Sequence, residues 1–270
     1  MENANPDEPS ASGHDTSFIR ELICRFEEEV GVLQIDTVIE EAAYTIFVNG
    51  EFLREMTCSP WHIPELAVGS LFTSGIIDSA DQVTALDIDE KAGTIRVVVD
   101  SPSPSHQRTQ PEASQPFIPG TAGAQPNVSP MITPKAVSSN IEFLEGNSHL
   151  FHRTGGVHSA AVVDGQSNLL AWFEDIGRHN ALDKLAGWCL MNHVDASDKV
   201  LLFSGRIPRE IIARAIRIGF PVIISPGAPT NLSIDLACKH GVTLIGFAKN
   251  GRFNVYTHTA RIKGPHPFEV

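Results

Sequence analysis

Between Val157 and Thr257 short apolar runs alternate with segments of helical period, and this alternation restricts the fold more than any other feature of the chain. Strands are expected at Val157–Val163, Leu169–Phe173, Lys199–Ser204, Val222–Ser225, Thr243–Phe247 and Asn254–Thr257. Helices are expected at Arg178–Met191, Pro208–Ile218 and Leu232–His240. Such alternation predicts a mostly parallel sheet covered by helices on both faces. Ligands of such sheets bind outside the carboxyl ends of the strands. Four loops rich in glycine, proline and polar residues fall mostly there: Thr154-Gly155-Gly156, Ser204-Gly205-Arg206, Ser225 to Thr230, and Lys249-Asn250-Gly251-Arg252. Any one of them also reads as an ordinary turn; their concentration on one sheet edge favours a site.

The densest chemistry lies between Phe173 and Lys184, where an apolar strand runs into an amphipathic helix and the period changes near Gly177. Arg178, His179 and Asn180 then occupy the first helical turn, where free backbone N–H groups favour an anion. A cation there gains nothing from the helix dipole, so Arg178 is read as facing a negatively charged ligand. Arg206, after a buried strand, is expected in the same crevice, and two arginines with a lysine would suit phosphate groups. The rival reading is a salt bridge from Arg206 or Arg178 to Glu174, Asp175 or Glu210. His158 reads either as a catalytic group or as a structural one. Glu174 and Asp175 are adjacent on a strand and point to opposite faces, which disfavours a shared-proton dyad. Neither a Gly-x-Gly-x-x-Gly nor a Walker loop occurs.

Upstream, Ser17–Glu29 reads as a short helix, and Thr37–Val48 with Glu51–Thr57 as a hairpin around Asn49-Gly50. Ser59-Pro60 is expected to open a helix that stops near Gly75, Val83–Asp89 and Thr94–Val99 form a second hairpin, and Thr133-Pro134 opens a helix to Phe151. From 101 to 134 Ser, Pro, Gln, Thr and Gly dominate, as in a flexible loop. The expected organisation is therefore a disordered N-terminus (1–16), a smaller α+β part of hairpins and a helix (17–100), the flexible loop (101–134) and an α/β core (135–270).

A net charge of −12 argues against a nucleic-acid or acidic-membrane surface, so an anionic ligand requires a local cationic pocket. Met1 to Thr16 is acidic without an apolar core, which fits neither a signal peptide nor an anchor. No stretch approaches the roughly 18 apolar residues that span a bilayer. Cysteines 24, 58, 189 and 238 form no CxxC pair and no metal-ligand spacing, which points to a reducing cytoplasm. Cys189 and Cys238 read as buried packing groups. Cys58, ahead of Ser59-Pro60, is the thiol whose pKa a helix N-terminus could lower, packing being the other reading.

Several segments together resemble the FdhD/NarQ family of accessory proteins, which are needed to make active molybdenum-dependent formate dehydrogenases. They are Cys58-Ser59-Pro60 with Glu65 to Gly69, Ser74 to Ile77, Thr154 to Ala161, Glu174 to Lys184, Ser204-Gly205-Arg206, Ala228-Pro229-Thr230, and Gly246-Phe247 to Tyr256-Thr257. The resemblance implies a core similar to the cytidine-deaminase fold. It also implies a mobile loop ahead of Thr154 whose cysteine takes sulfur from a cysteine desulfurase, as a persulfide, and passes it to Mo-bis(molybdopterin guanine dinucleotide). The guanine nucleotide portion is expected in the crevice of the core, near Arg178, His179 and Arg206. Phe247, Ala248, Lys249, Asn250, Gly251 and Arg252 match the family's cofactor-binding stretch. The implied partners are the desulfurase, the dehydrogenase and guanine nucleotide, and a homodimer is compatible with the pattern. Zinc deamination is disfavoured, because His179-Asn180-Ala181 lacks the glutamate of H-x-E and Ile207-Pro208-Arg209-Glu210 supplies no thiolate.

One departure bears on mechanism: no cysteine lies between 59 and 188, and Ala122 stands near the position of the family's loop thiol. A methyl group neither forms nor attacks a persulfide. Either Cys58 substitutes, or the chain binds the cofactor without transferring sulfur.

Overall fold

A computed structural model describes residues 18–100 and 129–264. Strands β1 (Phe18–Glu27) and β2 (Val30–Ile39) form an antiparallel ribbon of their own. The helix expected at Ser17–Glu29 is thus a strand. Apolar residues at 18, 19, 22, 23 and 26 fit a helical repeat, but Phe18, Leu22, Cys24 and Phe26 also alternate onto one face. The β-branched run of β2 decides between the two by pairing with them.

Strands β3 (Ala42–Val48) and β4 (Glu51–Cys58) turn at Asn49-Gly50, whose φ values of 51° and 83° are those of a two-residue hairpin loop. With β5 (Val83–Asp89) and β6 (Thr94–Val99) they make a four-stranded sheet in the order β4-β3-β6-β5. Helix α1 (Ile63–Thr73) packs on it, burying Leu66 and Leu71 against Tyr44, Ile46, Ile95 and Val97. The helix starts after His62 rather than at Ser59-Pro60, with Pro64 in its first turn. Ser59 is held elsewhere: its N–H donates to Asp175 and its hydroxyl accepts from the Ile176 N–H, contacts more than 100 residues away that no local signal announces.

The larger sheet contains β7 (His158–Val163), β8 (Leu169–Asp175), β9 (Val200–Phe203), β10 (Val222–Ile224), β11 (Thr243–Lys249) and β12 (Arg252–Val255), in the order β12-β11-β10-β9-β7-β8. Only β9, β10 and β11 run parallel. The expectation of a mostly parallel sheet is corrected by the hairpins β7–β8 and β11–β12, which add antiparallel strands at both sides. Helices α4 (Arg178–Met191), α5 (Arg209–Ile218) and α6 (Asn231–Lys239) cover one face. Helix α2 (Pro134–Asn147) covers the other through Val137, Ile141 and Leu144. The helix expected to reach Phe151 breaks at buried Ser148 and resumes as α3 (His149–Thr154). Ile132, expected in the flexible loop, is buried and bridges Ile262, whereas 1–16 and most of the loop, Ala122 included, lie outside the described residues.

Two features join the sheets. Helices α1 and α4 cross at Gly69 and Gly187, where an added Cβ would stand 1.8 Å from the Asp183 carbonyl oxygen and 1.9 Å from that of Glu65. Beside the crossing, Lys184 Nζ and Asp175 Oδ2 pair at 2.7 Å with both side chains wholly buried.

Candidate functional site

Strands β8 to β11 end, and β7 begins, along one edge of the larger sheet. The loops there are fixed by short contacts. The Ser225 hydroxyl donates to the Gly205 carbonyl at 2.7 Å and accepts from the Gly227 N–H. The Ser204 hydroxyl accepts from the Ser159 N–H at 2.8 Å. A side chain at Gly227 would meet the Gly205 carbonyl at 2.6 Å, so the loops after β9 and β10 lie backbone against backbone. Along this edge opens a cavity of about 460 Å³, lined by His158, Ser204, Pro226 and Lys249 from the sheet and by Leu144, Ser148, Phe151 and His152 from α2, α3 and their junction. Sequence reasoning missed the α2–α3 wall. Its signal was the helix-poor run Gly146-Asn147-Ser148, which breaks an otherwise amphipathic helix and bends the chain over the cavity.

The structure divides the charge-rich stretch between 173 and 184. Asp175 accepts hydrogen bonds from the N–H groups of Ser59 and Gly177 and from the Asn180 amide, in addition to its ion pair. Lys184 also donates to the Ser59 and Glu174 carbonyls, so it is withdrawn from any ligand. Asp183 accepts from the Thr73 hydroxyl at 2.7 Å and pairs with Arg214. Glu174 points the other way, accepting from the Ser148 and Ser159 hydroxyls, and burial pushes its carboxyl above the usual range. What remains for a ligand is Arg178 and His179: both are half-buried, and Arg178 Nε and His179 Nε2 are buried atoms without a hydrogen-bond partner. Such orphaned donors are costly unless a ligand or water satisfies them.

Arg206 is exposed, and the rival ion pairs of Arg178 or Arg206 with Glu174, Asp175 or Glu210 do not form among the described residues. The stretch 247–252 is split. Phe247 is half-exposed at φ 52°, Ala248 is buried in the core, and Asn250-Gly251 make the turn into β12. Lys249 faces the large cavity. Arg252 lines a separate cleft of about 30 Å³ with Glu142 and Glu145, a cleft to which Lys249 also contributes.

The packing reading holds for Cys58 and Cys189 and fails for Cys238. Cys58 is fully buried, and burial, with Asp175 nearby, pushes its thiol up to about 12 rather than down. Cys189 is buried as expected and likewise raised to about 12. Cys238 is exposed rather than packed, near the far end of α6.

His158 and His179 are both held below the ordinary 6.5, first by burial and then by cations, Arg178 for His158 and Arg214 for His179. Their neutral forms are thus favoured on folding. As pH falls below about 6.5 the unfolded chain takes up protons first, and stability present above that value is lost through the lowered folded values. Urea midpoints should fall between pH about 7.5 and 5.5, and His158→Asn or His179→Asn should flatten that slope; an unchanged slope in both would remove them as its cause.

The sequence matches the FdhD/NarQ family over residues 39–263. The chain belongs to that family. This FdhD/NarQ member is 39% identical over 252 residues to the sulfur carrier protein FdhD of Staphylococcus haemolyticus, covering 89% of this chain and 95% of the relative. It is 36% identical over 254 residues to that of Staphylococcus aureus strain MRSA252, covering 89% and 94%. A crystal structure of a protein assigned as a formate dehydrogenase accessory protein from Desulfotalea psychrophila superposes with a TM-score of 0.75 at 23% identity, over 92% of this chain and 100% of that one. That likeness fixes the α/β fold shared by the two. No helix among the described residues is long and apolar enough to cross a membrane.

Proposed function

We propose that this FdhD/NarQ member serves formate dehydrogenase maturation by holding Mo-bis(molybdopterin guanine dinucleotide), as cargo, at the carboxyl edge of its larger sheet. The observation that carries this reading is the buried, unsatisfied Nε of Arg178 at the head of α4, which follows β8 at the same sheet edge where His158 and Lys249 line the cavity. A pyrophosphate would satisfy both cations, and the rings of Phe151, His152 and His158 offer flat surfaces to a base. Neutral His158 and His179 can donate or accept a hydrogen bond without adding charge. The unpaired cysteines suit the cytoplasm as the place of action.

Within this reading the chain hands the cofactor on without covalent chemistry. Its relatives are named sulfur carrier proteins, which favours a sulfur-transfer role instead. That step needs an accessible thiolate, however, and Ala122 stands near the loop position while Cys58 is sealed and hard to ionise.

Calorimetry with GDP tests the binding claim. Arg178→Ala and Lys249→Ala should each weaken binding by about 1.5–3 kcal/mol, as expected for a charged hydrogen bond, with smaller losses for Arg206→Ala and Arg252→Ala. No measurable GDP binding would sink the proposal. Incubation with a cysteine desulfurase and cysteine, followed by mass spectrometry, should leave the protein mass unchanged. A persulfide on Cys58 would restore the sulfur-transfer reading.

A further inference from the structure

Two buried nitrogens without a hydrogen-bond partner, His179 Nε2 and Arg54 Nε, belong to residues that do not line the large cavity. His179 stands in the first turn of α4, and Arg54 on β4. The Asn180 amide ties these two elements by donating to the Thr57 carbonyl at 2.8 Å. Alternation along β4 puts Arg54 on the face of Met56 and Cys58, with Ile46 as its neighbour on β3, and α1 covers that face. At the end of α1 the Thr73 hydroxyl donates to Asp183, which follows His179 by one turn of α4 and pairs with Arg214 of α5 at 3.1 Å. Asp183 and Arg214 are also the charges felt by Arg54, whose guanidinium is held below the ordinary arginine value, first by burial.

Asp183 is spent on Arg214 and Thr73, and no ion pair to Arg54 forms among the described residues. A sealed guanidinium nitrogen and a sealed ring nitrogen are costly to leave unsatisfied. The positive charge selects an anion, donors arriving from separate elements suit an acceptor with several oxygens, and the burial of both atoms admits a small guest. We propose that Arg54, His179 and Arg214 form a seat for a small tetrahedral oxyanion of the inorganic phosphate class, separate from the cofactor cavity and set between the four-stranded sheet and the helices of the larger one. Neutral His179 donates to the guest from Nε2, with its proton on that nitrogen. An occupant ties β4 to α4 and α5 and so stabilises the folded chain by mass action.

Thermal melts of the full chain in low-millimolar phosphate, against chloride of equal ionic strength, test the seat. At ten times its dissociation constant phosphate should raise the melting temperature by about 3–6 °C, and the rise should saturate. Arg54→Met and His179→Phe, each compared with itself in chloride, should lose the rise. Lys249→Ala should keep it, and saturating GDP should leave it in place, so that the seat stands or falls apart from nucleotide binding. No rise in the wild type, a rise that survives both Arg54→Met and His179→Phe, or one abolished by Lys249→Ala or by GDP would each overturn the assignment.

Discussion

Replacing Lys184 by methionine is expected to cost about 3–5 kcal/mol of stability, the penalty for leaving a buried charge without its partner. Asp175, wholly buried, would keep three hydrogen bonds, from Ser59, Gly177 and Asn180, but would lose the cation 2.7 Å away that balances its charge. Urea unfolding reads the loss directly. Adding Asp175→Asn to Lys184→Met should recover part of it, because a neutral amide replaces the stranded carboxylate. If the single variant falls by less than about 1 kcal/mol, or the double variant is worse than the sum of the two single ones, the pair is not the structural lock described above.

The second large effect is expected at the helix crossing. Alanine at Gly69 or Gly187 places a methyl group within 2 Å of a carbonyl oxygen of the opposite helix, and both obstacles are backbone. Side chains can turn aside from an added methyl, but two helices fixed between two sheets cannot. The loss should reach or exceed the upper end of the roughly 1–3 kcal/mol usual for overpacking. Gly146→Ala, in α2 with open space at its Cβ, is the control and should be neutral or slightly stabilising. Equal melting temperatures for Gly69→Ala and the wild type would show that the helices do not meet as closely as stated.

Residues with local causes were legible in the sequence. Helix α4 runs over Arg178–Met191 as its periodicity predicts, and Asn49-Gly50 turns where it should. The Ser17–Glu29 stretch misled because its apolar spacing serves two periods at once, and only the partner strand selects between them. The site was half legible for a related reason. A cluster of charges at a strand–helix junction signals that something polar must be satisfied there, but not whether a ligand or the chain itself satisfies it. Asp175, Asp183 and Lys184 find partners within the protein, through Ser59, Thr73 and Arg214, at sequence separations that no window reaches. Arg178 and His179 do not, and that contrast, invisible before folding, isolates them.

The α1–α4 crossing also bears on how the chain emerges during synthesis. Of the eleven residues of α1, eight are buried, and the faces of Leu66, Gly69 and Ala67 are closed by α4 and the first sheet together. Gly187 follows Gly69 by 118 residues. At about 5–20 residues per second, the ribosome needs ~6–24 s to deliver the second helix after the first. Through that interval the early sheet has strands to pair but no lid for its helix, so a nascent chain arrested before Arg178 should be a client for holdase chaperones and prone to clump when they are lacking.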